Sequence, residues 1–175
     1  MLISRFKTRR WPRALVALGM LIGLVITASP ASADAPIVTH FSDTAAATIA
    51  GGGELCPFDV EITATIDGTE RDYVDRSGQL TRIAFHFVEQ DTFEANGHQL
   101  VGDPFHNIQQ VLFDEDGNVV HVYEVGVIER VPLPSGALFL SAGRLDFVAH
   151  NFDFVFTPDQ GHSGDLAALC AALAP

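Results

Sequence analysis

Histidine is the side chain in this sequence best suited to acid–base or metal chemistry near neutral pH, and the chain contains seven. None forms the H-x-x-x-H pair that places two imidazoles on one helix face. Pairs such as His86 and His121 can meet across neighbouring strands, but spacing alone does not show it. Each histidine is interpreted as a partly exposed strand residue, and no metal ligand or cofactor is predicted. The seven are His40, His86, His98, His106, His121, His150 and His162.

The segment 114–118 (DEDGN) has the composition of a calcium-binding loop. An EF-hand needs glycine at the sixth position and glutamate at the twelfth, between two helices. Here the glycine is fourth and the twelfth residue is Val125, so an acidic hairpin turn is favoured. The serines lack the G-x-S-x-G turn that exposes a nucleophile, and no catalytic residue is predicted.

Cys56 and Cys170 are the two cysteines of the chain. An exported protein with two cysteines most simply pairs them in a disulfide. Two free thiols are the alternative, and a metal site is disfavoured because neither cysteine has a ligand at suitable spacing. The pairing is interpreted as structural rather than catalytic.

Phenylalanine is the abundant aromatic residue, with 13 in the sequence and all but Phe6 beyond the N-terminal leader. The ordinary role of these rings is a packed core. An eight-stranded barrel is either filled by side chains or wide enough for one small ligand. A cavity for a small apolar molecule is therefore an additional hypothesis. The residues predicted to line it are Phe85, Phe87, Phe147, Phe152, Phe154 and Phe156.

Residues 1–33 have the features of a secretory signal peptide. Basic residues between positions 5 and 13 precede an apolar run over 14–28, and Ala31-Ser32-Ala33 forms a small-residue cleavage site. The apolar run is shorter than the ~20 residues of a membrane span. We expect a secreted, extracellular protein, cleaved after Ala33, with no stable membrane anchor. Arg9-Arg10 leaves the twin-arginine route open.

Beyond residue 33 the chain is strongly acidic. All 22 acidic residues remain, whereas the only basic residues left are the arginines at 71, 76, 82, 130 and 144. Binding to nucleic acids or anionic lipids requires clustered cations, so neither is predicted as a partner. The acidity is interpreted as a solubility feature, with surface binding of divalent cations as the alternative.

Alternating patterns predict strands through most of the remaining chain. Apolar and polar residues alternate over 58–66, as expected for a strand with one buried face. Residues 81–89 are predicted as a second strand, with Ile83, Phe85 and Phe87 on one face. Asn96-Gly97 and Asp116-Gly117 predict hairpins, and Asp67-Gly68 and Ala142-Gly143 are also interpreted as turns. Residues 151–157 are predicted as a strand. A terminal helix over Leu166–Leu173 is predicted to be capped by Ser163 or Asp165.

About eight to ten short strands joined by hairpins are typical of an all-β fold. We predict an antiparallel β-barrel, with a β-sandwich as the alternative, and a short C-terminal helix. The expected organisation is a signal peptide over 1–33, a flexible N-terminal segment over 34–53 and one β-rich domain over 54–175.

Two short motifs carry a resemblance. The C-x-F-x-V stretch at Cys56 and the C-x-x-L stretch at Cys170 resemble those of small secreted actinobacterial proteins that have no assigned activity. This resemblance covers nearly the whole chain beyond the signal and implies a secreted β-rich domain with a terminal disulfide. The barrel-like organisation is also distantly similar to allene oxide cyclase-type barrels, although no catalytic residue of that family can be placed here.

Together these features predict a secreted, non-catalytic protein that binds a small apolar ligand inside the barrel and uses no cofactor. One alternative is a small extracellular enzyme with His and Asp side chains in the same cavity. Another is a cell-wall or protein interaction module that acts through an exposed sheet edge.

Overall fold

Antiparallel strands and one short helix make up the part of the chain that the computed structural model describes, residues 35–52, 55–152 and 156–175. The predicted signal peptide over 1–33 and Phe154 lie outside these ranges. The prediction of an all-β fold with a short C-terminal helix is confirmed. The elements are β1 (Ile37–Ile49), β2 (Val60–Val74), β3 (Leu80–Ala95), β4 (His98–Val101), β5 (Phe105–Phe113), β6 (Val119–Pro132), β7 (Leu138–Asp146), β8 (Gln160–His162) and α1 (Leu166–Leu173).

The strands form one sheet in the order β1-β2-β3-β5-β6-β7-β8, and β4 folds back on β3 as a hairpin. Every pairing is antiparallel. Within the described residues the sheet ends at β1 and β8 without a ladder between them, so barrel and sandwich remain the two alternatives. The predicted flexible segment 34–53 contains β1, which pairs with β2 along its whole length.

Gly68 corrects one turn prediction, because β2 runs straight through it. The glycine lies opposite Phe41 of β1 and Phe87 of β3. A Cβ atom placed on Gly68 would lie 2.5 Å from the carbonyl oxygen of His86 and 2.6 Å from the Cβ of Phe87. The missing side chain lets the two flanking strands bring aromatic rings together, and Phe41 meets Phe85 edge-on at 5.9 Å between ring centroids.

We expect Gly68→Ala to lower the free energy of unfolding by about 1–3 kcal/mol, the usual cost of overpacking a tight core. Denaturant unfolding monitored by circular dichroism measures it. Gly78→Ala is the comparison, since a Cβ there meets nothing within 4 Å and pays only for its positive φ of 84°. A Gly68→Ala protein as stable as the parent would show that β3 can shift to accommodate the added methyl group without loss of stability.

The other glycine turns divide into two groups. Asn96-Gly97 and Asp116-Gly117 do turn the chain, joining β3 to β4 and β5 to β6, so those hairpin predictions are confirmed. The predicted turn at Ala142-Gly143 is wrong, because β7 continues through it. The chain turns instead at residues 134–136, where the Leu133 N–H donates to the Ala137 carbonyl at 2.8 Å.

The predicted strand over 151–157 is also wrong in its described part. Residues 147–152 form a turn in which the Phe152 N–H donates to the Phe147 carbonyl, and Asn151 and Phe152 have positive φ angles. The last strand is β8, which spans the three residues Gln160–His162. Phe152 and Phe156, in the described parts of this segment, lie outside any strand.

Two hydrophobic clusters fill the buried side of the sheet. The phenylalanine cluster includes Phe85, Phe87 and Phe147, and the disulfide cluster includes Phe93 and Leu169. Helix α1 packs Leu169 and Leu173 into the disulfide cluster, and the Asp165 carboxylate caps it by accepting from the Ala168 N–H at 3.0 Å. This confirms one of the two predicted caps.

The Cys56–Cys170 disulfide is formed, as predicted, and it ties the residues before β2 to α1 across a sequence separation of 114. No helix in the described part of the chain is long and apolar enough to cross a membrane.

Candidate ligand-binding interior

The structure separates the six phenylalanines predicted to line a cavity. Phe85, Phe87 and Phe147 are buried together in the phenylalanine cluster. Phe156 belongs to the disulfide cluster, where it contacts Phe93 at 6.0 Å between ring centroids. Phe152 is 39% exposed and joins neither, and Phe154 lies outside the described residues. Of the six rings, the structure therefore brings together Phe85, Phe87 and Phe147, as members of one hydrophobic cluster.

Four carboxyl groups lie on the same face as those three rings, and we call them the interior acidic cluster: Glu89, Asp91, Glu124 and Glu129. Successive strand residues alternate between faces, so the inner face of β3 runs Phe85, Phe87, Glu89, Asp91, Phe93. The two acids thereby separate the phenylalanine cluster from the disulfide cluster along β3. Asp91 is 5% exposed and Glu89 is half-buried.

Strand β6 supplies Glu124 and Glu129, which are 8% and 1% exposed. Their separation of five residues would place them on opposite faces of a regular strand. A register shift between Val127 and Glu129 in the pairing with β7 changes this, because a bulge adds a residue to one strand. Glu129 consequently faces the same interior as Glu124.

Strand β5 adds two buried amides, Asn107 and Gln109, each 2% exposed. Gln109 lies between Phe85 on β3 and Glu124 on β6, and Asn107 lies beside Phe87. The Asn107 side-chain amide donates to Glu124 Oε1. Aromatic rings, amides and carboxyls therefore share one surface across three strands.

Burial raises the pKa of every member of the interior acidic cluster. For Glu89 and Glu129 the pKa lies well above the usual 4.5, because burial is reinforced by the nearby charge of Asp91 and by hydrogen bonding to its carboxyl. Burial also raises the pKa of Glu124, opposed by the hydrogen bond from Asn107. Burial raises the pKa of Asp91 too, opposed by hydrogen bonds with Glu129 and Glu89 that favour its ionised form.

Two oxygens in this region lack any hydrogen-bond partner, Asp91 Oδ1 and Gln109 Oε1. Buried polar groups are almost always hydrogen-bonded, and leaving one unsatisfied costs about 1–3 kcal/mol. Gln109 Oε1 is an acceptor only. These two oxygens could therefore accept hydrogen bonds from a donor that is not part of the sheet.

A row of glycines lies next to these amides. Asn107 is opposite Gly126, which is opposite Gly143, which is opposite Gly161. Gly143 allows β7 and β8 to approach closely, since a Cβ there would lie 2.0 Å from the Gln160 carbonyl oxygen. Strand glycines often mark bends or places where a ligand approaches the backbone. Strands β6, β7 and β8 therefore contribute no side chain to this row, and Gly126 leaves none directly opposite Asn107.

The side chains of this interior can hold protons and form hydrogen bonds. None of the seven histidines, all within the described residues, is buried. His121 and His150 pair with Asp146 and Asp159 at 2.8 and 2.7 Å outside the interior acidic cluster. Within the described residues no group of three or more His, Cys, Asp or Glu is arranged to hold a metal ion.

Sequence reasoning missed the interior acidic cluster, although part of its signal was present. The buried face predicted from Ile83, Phe85 and Phe87 extends by the same period of two to Glu89 and Asp91. Asn107 and Gln109 alternate likewise between the buried Phe105 and Val111. Glu129 had no such signal, because its orientation depends on the β6 bulge.

Neither a family model, nor a curated protein, nor a solved structure matches this chain. Function is therefore inferred from the geometry of the interior.

Proposed function

We propose that this protein is an exported, non-catalytic binding protein that holds a small, mainly apolar molecule against the inner faces of β3, β5 and β6. The observation that carries the proposal is the buried Gln109 Oε1 atom, which lacks a partner although Phe85 and Glu124 flank its residue in the sheet. Binding sites are mostly apolar with a few polar groups that fix orientation. Phe85, Phe87 and Phe147 supply the apolar part.

Export is part of the proposal. The disulfide supports it, because such bonds persist in oxidising compartments outside the cytoplasm. The signal-like residues 1–33 point the same way. An interior binding site and export together describe a carrier or scavenger of a small molecule.

The test is native mass spectrometry of the protein purified from the culture medium of its own host. We expect a non-covalent molecule that leaves on denaturation, with lower occupancy in Gln109→Met, because the unpaired carbonyl is lost while the side-chain shape is kept. Gln110→Met is the matched control, since the neighbouring residue lies on the opposite face of β5.

The same pair of variants has a second readout. Removing a buried, unsatisfied acceptor relieves its desolvation cost, so ligand-free Gln109→Met should melt higher than the parent. The proposal would be contradicted if the parent protein, purified from its own organism, carried no bound molecule and Gln109→Met had a lower melting temperature than the parent.

A further inference from the structure

The interior acidic cluster has no cationic side chain beside it among the described residues. Burial and neighbouring carboxyls, not an arginine, dominate its electrostatics. The five described arginines lie away from the cluster. Arg82 stacks on Tyr73 and Arg144 on Tyr123, each at 3.9 Å, and Arg130 pairs with Asp103 at 3.2 Å. Arg71 lies opposite Ala84 on the outer face, and Arg76 is exposed in a turn.

Hydrogen-bond acceptors also exceed hydrogen-bond donors on this surface. Ionised carboxylates only accept, whereas the protonated carboxyls of Glu89 and Glu129 already hydrogen-bond to Asp91. The side-chain N–H donors of this surface are the amides of Asn107 and Gln109. Asn107 already donates to Glu124, while Gln109 Oε1, on a residue only 2% exposed and directly opposite Glu124, accepts from nothing. A ligand that fits must bring a hydrogen-bond donor, and an anion would lie beside the buried acidic side chains of Asp91 and Glu124.

A metal ion does not fit this surface, because the described carboxyl groups are not arranged to coordinate one. An organic cation fits it, because the faces of the aromatic rings beside the amides attract positive charge and the rings can also contact an apolar body. We infer that the ligand is a small organic cation, an ammonium or amidinium group on an apolar body, seated between Gln109, Glu124 and Phe85. This inference rests on the proposed function and names its ligand class.

The test compares charged and neutral molecules of matched shape by isothermal titration calorimetry of the mature, disulfide-bonded protein. The probes are benzylammonium against benzyl alcohol, and octylammonium against octan-1-ol. We expect each ammonium to bind at least about tenfold more tightly than its alcohol, which corresponds to about 1.4 kcal/mol. In Glu124→Gln this preference should shrink towards equality while affinity for the alcohols is kept.

Glu61→Gln is the matched control, because Glu61 is exposed on the outer face of β2, and it should keep the parent preference. Glu89→Gln, at a half-buried position, provides a second variant if Glu124→Gln does not fold. Alcohols that bind as tightly as the ammoniums overturn the inference and leave the proposed function standing. Binding of neither class also overturns it, while the retained molecule seen by mass spectrometry decides the proposed function independently.

Discussion

Opening the Cys56–Cys170 disulfide is expected to cost about 4–5 kcal/mol of unfolding free energy, because the bond closes a loop with a sequence separation of 114. That is a large share of the roughly 5–15 kcal/mol by which small proteins are stable. The loss arises mainly in the unfolded chain, which gains freedom once the cross-link is gone. Cys56→Ser and Cys170→Ser should therefore lower the melting temperature by similar amounts.

The double variant Cys56→Ser/Cys170→Ser separates this loop effect from local packing. If loop closure dominates, the double variant is about as stable as either single one, since the same loop is opened once. The structure adds a reason to expect α1 to be affected first, because Leu169 and Leu173 are then the main contacts that hold the helix in the disulfide cluster. Clearly unequal single variants would contradict the loop account.

The second large effect is a loss of stability as the pH rises. A carboxyl whose pKa is higher in the folded than in the unfolded state keeps a proton that the unfolded chain releases. The folded state then binds more protons, so stability falls with pH, by about 1.4 kcal/mol per pH unit for each such proton. Glu89 and Glu129 meet this condition in the range above the usual 4.5.

Glu129→Gln isolates the contribution of one buried group. The amide remains neutral at every pH and keeps an oxygen for the Arg130 N–H, which donates to Glu129 Oε1 at 3.0 Å. We expect the melting temperature of the parent to fall as the pH rises above the usual glutamate pKa of 4.5, and that of Glu129→Gln to fall less. Scanning calorimetry across this range measures both.

Glu115→Gln, in the exposed turn before β6, serves as the control and should follow the parent. The exposed Asp75, Asp114 and Asp159, whose pKa values are lowered by hydrogen bonds, lose their stabilising contribution only as the pH falls below the usual 3.8. They therefore do not contribute to the slope at higher pH. Parallel curves for the parent and Glu129→Gln would mean that Glu129 ionises as readily when folded as when unfolded.

What could be predicted from the sequence was encoded locally or covalently. The alternation from Phe58 to Ile66 indicates a strand wherever it lies in the fold, because side chains of successive residues face opposite ways. Two cysteines have one intramolecular pairing available, and that pairing is formed. The helix over Leu166–Leu173, with Asp165 as its cap, depends on a few neighbouring residues.

What only the tertiary structure decided depends on cross-strand register. Gly68 and Gly143 have the same local signals as turn glycines, but neighbouring strands hold them in extended β2 and β7. Glu129 turns inward through a bulge defined by pairing with β7, and Gln109 meets Glu124 because β5 and β6 align in one register. The sequence of a strand determines which of its residues share a face, whereas the pairing with the next strand determines which residues become neighbours. The interior acidic cluster therefore forms only when the sheet is assembled.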